Sequence, residues 1–149
     1  MNIRLETVAE NLAAKLEAAS SEQQRKASVV ACELALQATS LNMPIVSESL
    51  EQLRKNGKLS QERIAELNDL VAQLDGRYFD IQDKAESNAA LETEALRFFS
   101  QARVVSALSF AGGENALVAA KESIYEASMS FDDNSGFLAV VENSLSQSA

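Results

Sequence analysis

The chain has almost no means of turning. Its 149 residues hold one Pro and five Gly. A chain with so few breakers has to run in long regular segments joined by short connections. Between the breakers, apolar residues recur at steps of three and four, the period of a helix and not of a strand. Ala is abundant and β-branched runs are short, which favours helix again. The sequence therefore predicts an all-α fold, a single domain over residues 1–149. It reads as a bundle of six to seven helices in antiparallel pairs, with the tail at 146–149 frayed.

Residues 3–19 place Leu5, Val8, Ala9, Leu12, Leu16 and Ala19 on one stripe. Ser21 and Gln24 have capping-box spacing, which starts a second helix at about 22–41. That helix is apolar on two sides: Ala27, Ala31, Leu34, Ala38 and Leu41 on one, Val29, Cys32 and Leu36 nearly opposite. A helix that is apolar on both sides packs on both sides, so it is expected at the centre, with Cys32 a buried, inert thiol. A short helix over 45–56 follows Pro44 and stops at Gly57. The segment 61–86 then runs Ile64, Leu67, Val71, Leu74, Tyr78, Ile81 and Ala85 in alternating steps of three and four, straight through Gly76. Such a heptad seam packs inside its own bundle or pairs two copies; a monomer is the preferred reading and a homodimer through the seam the alternative. Further helices are expected over 89–111, 114–130 and 136–146.

No residue is His, and Cys32 is the one cysteine. Ser/His/Asp and Cys/His catalysis are thereby excluded, and the usual nitrogen ligand of transition metals is missing. There is no P-loop and no GxGxxG, and with no Trp and few aromatics there is no platform for stacking bases. The stretch FDDNSGFLAVVE (131–142) partly resembles an EF-hand calcium loop, but Phe131 stands where the first carboxylate belongs; a capped turn before the last helix is the preferred reading. The two pairs Glu48/Glu51 and Glu66/Asp69, in ESLEQL and ELNDLVAQL, resemble the magnesium helices of all-α nucleotide pyrophosphatases of the MazG type. That resemblance implies a carboxylate-held magnesium acting on substrate phosphates. Helical spacing turns each pair away from its own apolar stripe, so this enzyme is the alternative and a non-enzymatic protein, with no cofactor and no resident metal, is the reading preferred.

Charge points to the kind of partner. The net charge is −9, the wrong sign for nucleic acid or an anionic membrane surface. No apolar run reaches membrane-span length, and the amino-terminal residues carry charges that a signal peptide lacks; a cytoplasmic location is expected. Residues 104–149 hold six acids, Glu114, Glu122, Glu126, Asp132, Asp133 and Glu142, against the single base Lys121, more than half of the net charge. Glu122 and Glu126 lie one turn apart, off the stripe of Leu117, Ala120 and Ile124, and are expected to be exposed. These six are the candidate partner-binding residues, and the expected partner is a basic protein such as a toxin or nuclease. The segments ARVVSALSFA (102–111) and AAKESIYEA (119–127) resemble the Ala-rich helix pairs of small acidic immunity or antitoxin proteins of bacterial toxin systems. That resemblance implies an inhibitor that covers a basic toxin with acidic side chains.

Overall fold

The structure, a computed structural model, describes residues 4–146. Among the described residues there are eight helices and no strand: α1 (Arg4–Val8), α2 (Glu10–Ala18), α3 (Ser21–Thr39), α4 (Pro44–Asn56), α5 (Gln61–Ala85), α6 (Ala89–Ala111), α7 (Ala116–Ser128) and α8 (Ser135–Ser146). Apart from Ser146, the tail expected to fray lies outside the described residues.

Local chemistry explains most of the boundaries. Ser20, Ser60, Asn88 and Asn115 each accept a backbone N–H of the first turn that follows, at α3, α5, α6 and α7, satisfying donors the helix itself leaves unpaired. Pro44 stands at the start of α4, where its missing N–H costs nothing. Gly57 ends α4 at φ +78°, a left-handed conformation that suits Gly.

Three expectations are corrected. The segment 3–19 is two helices, because the chain leaves helical geometry at Ala9 (φ −154°, ψ 69°). The break lets α1 lie on α7 and bury Leu5; tertiary contact overrides a continuous local periodicity. The capping box is formed one residue earlier than expected, by Ser20 and Gln23. Gln24 is instead buried and donates to the carbonyls of Leu16 and Ala19, tying the end of α2 to α3. The third correction concerns the centre. α3 packs on α4, α6, α7 and α8, yet α6 touches as many neighbours, and on α3 Leu34 and Leu36 are half-buried while Ala38 is exposed. The centre is shared by α3, α6 and α7.

One apolar cluster draws buried residues from every helix, among them Leu12, Leu16, Ala31, Cys32, Leu67, Val105, Leu108 and Ile124. α5 and α6 run antiparallel: Asn68 meets Ser109 (2.7 Å), Asp75 meets Arg103 (3.0 Å) and the Tyr78 and Phe99 rings lie 5.5 Å apart. The heptad seam of α5 faces α6, with Leu67, Leu74 and Ala85 buried. The seam packs within the chain, with Ile64, Val71, Tyr78 and Ile81 half-buried. The far half of this pair, α5 from Asp75 and α6 as far as Gln101, forms a two-helix arm. Its inward residues Tyr78, Ile81, Leu91 and Phe99 lie outside the main cluster.

Candidate functional site

The six candidate acids do not form one open surface. Glu126 is 3% exposed, and its two carboxylate oxygens accept from different arginines: Oε1 from Arg103 (2.7 Å) and Oε2 from Arg4 (3.1 Å). Glu122, with a side chain 15% exposed, accepts from Arg4 Nε at 2.9 Å. The expected exposure of this pair is thus corrected. A helical wheel reports an angle from the helix's own stripe; it does not report that α1 and Arg103 cover the other side. Glu114 is exposed and meets Lys58 at 3.3 Å. Glu142 meets Lys15 at 2.8 Å, so it does not turn toward the 131–142 loop as a calcium ligand would. Asp132 and Asp133 are exposed. Asp133 accepts the backbone N–H and the hydroxyl of Ser135, bonds that hold its carboxyl below its ordinary pKa, the backbone one foremost.

The other carboxylate set is exposed, as its spacing predicted: Glu48, Glu51, Glu66 and Asp69 all face solvent. Glu48 and Glu66 flank Arg63, and Glu51 lies against Arg54. Among the described residues no three carboxylates or thiols stand close enough to hold a metal ion, so the four are not brought together. Cys32 is fully buried, and desolvation pushes its thiol up to about 12; a thiol held neutral is a poor nucleophile. A groove of about 410 Å³ between α3 and α4 has a cationic rim, but its arginines are committed. Arg25 donates to the carbonyls of Ala111 and Glu114, and Arg54 to Glu33.

What the structure does assemble is one side of α5, α6 and α7. On α5, Asp75, Phe79 and Asp83 share a face by their spacing, and Glu86 follows directly after the helix ends. On α6, Glu92, Leu96, Phe99, Arg103 and Phe110 share another. Arg103 joins the two, donating to both oxygens of Asp75 and lying over the Phe99 ring. From Arg103 an ionic chain continues through Glu126 and Arg4 to Glu122 on α7. Burial opposes the Arg4 charge, but hydrogen bonding to Glu122 and the charges of Glu122 and Glu126 outweigh it, so the guanidinium's pKa is raised.

The outer half of this side carries exposed apolar groups: Phe79 is 60% exposed and Leu96 59%. Around them Asp83, Glu86 and Glu92 form no ion pair with a described residue. Phe79 and Leu96 did not stand out in the sequence, because they belong to two helices that come side by side only when α5 folds back on α6. One signal was available: Arg103 stands alone inside the apolar run ARVVSALSFA, and a charge there has to find a buried partner. Compared with known proteins, the chain matches no family model, no curated protein and no solved structure.

Proposed function

We propose that the protein works by binding another protein, as an inhibitor of the immunity or antitoxin kind, and that its target presents a basic, amphipathic helical surface. The contact is made by the outer side of the α5–α6 arm. The observation that carries this reading is that the packed pair α5–α6 leaves Phe79 and Leu96 both more than half exposed, on helices that also carry or lead into Asp83, Glu86 and Glu92, acids without an ion pair among the described residues. A two-helix arm cannot enclose its own apolar side; a third helix laid across it completes a small bundle. Acids around the apolar centre select a helix with a basic rim, speed the encounter and reject acidic helices. The C-terminal acids, proposed from sequence as the contact, are here largely neutralised within the chain, and the binding surface moves to the arm.

The test uses three synthetic amphipathic helices with the same apolar face and a lysine/arginine, glutamine or glutamate polar face. The basic helix should bind the wild-type protein with an affinity that falls as salt rises. The other two should bind at least tenfold more weakly. Reversing Asp83, Glu86 and Glu92 to Lys should abolish binding of the basic helix and leave the helical circular dichroism unchanged. Equal binding of all three helices would overturn the reading. So would sedimentation as a dimer that loses its stability in Phe79→Ser, since a second copy would then own the surface.

A further inference from the structure

We propose that the pocket holding Arg4 is an arginine-recognition site already filled from within, and that α1 is a latch which an arginine on the protein's partner displaces. The pocket has the parts such a site needs. Glu122 and Glu126 supply carboxylates on one side of the guanidinium. The Tyr125 ring lies 4.5 Å from the guanidinium carbon and the Phe110 ring 5.8 Å, a distance at which a cation is attracted to an aromatic face. A planar guanidinium can use carboxylates and rings together, whereas a lysine ammonium fits neither so well.

The pocket is built independently of its occupant. Glu126 is held by Arg103 on its other oxygen, and Arg103 is held in turn by Asp75. When Arg4 leaves, Glu126 stays paired and in place, and Glu122 alone loses its cation. A site preformed in this way binds a guest with little reorganisation.

The occupant, in contrast, is weakly held. α1 is five residues long and is cut off from α2 by the non-helical backbone at Ala9. It buries one side chain, Leu5, while Val8 beside it is 45% exposed. Its other polar tie, Glu6 to Lys121, is duplicated: Lys121 also donates to Glu17 at 2.6 Å. Removing α1 therefore leaves Lys121 satisfied. A guest that replaces α1 fully would supply an arginine followed directly by a large apolar residue, matching Arg4 and Leu5. An internal competitor of this kind lowers the apparent affinity for every guest by the fraction of time it is bound.

The inference rests on the proposed function for the partner's basic character, but the contact it tests does not include Phe79 or Leu96. The probes are the acetylated, amidated pentapeptide RLETV, which is the sequence of α1, and the same peptide with lysine in place of arginine. Titrated calorimetrically, the arginine peptide should bind full-length Arg4→Ala at least tenfold tighter than wild type, and the lysine peptide at least tenfold more weakly than the arginine one. Adding Glu122→Gln and Glu126→Gln to Arg4→Ala should remove the binding. Adding Phe79→Ser and Leu96→Ser should leave it unchanged, so that failure of the arm and failure of the latch are separately visible. In the wild-type protein, saturating arginine peptide should speed hydrogen exchange of the α1 amides and not those of α7, a measurement that holds even if Arg4→Ala folds poorly. Equal binding by wild type and Arg4→Ala, equal binding of the two peptides, or no change in α1 exchange would overturn the proposal.

Discussion

The two halves of α6 differ sharply in burial. From Ala102 to Ala111 the helix is buried at every position but Arg103 and Phe110, enclosed by α3, α4, α5 and α7. From Ala89 to Gln101 only Ala95 is buried, and α5 is the main neighbour. Apart from Arg103 and Phe110, the inner half is made of Ala, Val, Ser and Leu, most of them small enough for helices to approach closely; the outer half carries Leu96, Phe98 and Phe99. The contrast shows that α6 buries its inner half and leaves large apolar groups such as Leu96 exposed on the arm. Around the inner half the helices pack closely on small residues, and a partly buried ionic chain centred on Glu126 borders it.

The division predicts opposite responses to the same substitution. Leu108 is fully buried in the inner half and Leu96 is 59% exposed in the outer half. Leu108→Ala should lower unfolding stability by about 2–5 kcal/mol, the cost of a cavity in a packed core. Leu96→Ala should change it by less than about 0.5 kcal/mol. Urea denaturation of both variants checks this, and equal losses would mean that α6 is one cooperative unit with no distinct arm. The carboxylates divide in the same way. Glu126→Gln removes the charge shared by Arg4 and Arg103 and should cost about 1–3 kcal/mol, less than breaking a fully buried pair because both arginines reach solvent. Glu114→Gln, at an exposed pair with Lys58, should fall within about 0.5 kcal/mol of wild type.

The inner half also depends on close backbone approach. At Gly112, just past the end of α6, an added Cβ would lie 2.7 Å from the Cβ and Cγ of Leu59. The atoms in the way sit next to the backbone and cannot swing aside, and the Leu59 N–H is bonded to the Gly112 carbonyl at 3.1 Å. Gly112→Ala should therefore lose about 1–3 kcal/mol, as overpacked sites do, measured by the same denaturation.

How much of this was legible follows from what a helical period can report. Period located α3, α5, α6 and α7 closely, since it is set within each segment; the caps at Ser60 and Asn88 act through the next turn of their own chain, whereas the cap at Asn115 emerges from the structure. The seam of α5 was legible for the same reason, and its passage through Gly76 was read correctly. The break at Ala9 was not, because its cause is the docking of Arg4 and Leu5 on α7, more than a hundred residues away. The candidate acids fell to the same limit. Glu122 and Glu126 attract a basic group, as their charge suggests, but the group is the chain's own Arg4 and Arg103. Phe79 and Leu96 looked like ordinary members of amphipathic helices; their exposure depends on how far α5 and α6 extend beyond α3 and α7, which is a property of the assembled fold.

One small effect tests the arm directly, and its sign is opposite to that at Gly112. Gly76 lies in the middle of α5 with nothing within 4 Å of the position its Cβ would take. No neighbour and no backbone strain calls for Gly there. An alanine would favour the helix and restrict the unfolded chain, so Gly76→Ala should raise stability by about 0.5–1 kcal/mol. The site lies three residues before Phe79 and seven before Asp83, on the same side of α5, and the alanine adds one methyl there. If the arm is a rigid platform, the affinity for the basic helix should stay the same while the melting midpoint rises. A gain in stability with a loss of affinity would show instead that α5 bends at Gly76 when the partner lands. The division would then be refined: the inner half of the molecule keeps Gly112 for contact, and the outer half keeps Gly76 for movement. Denaturation and calorimetry on this one variant distinguish the two.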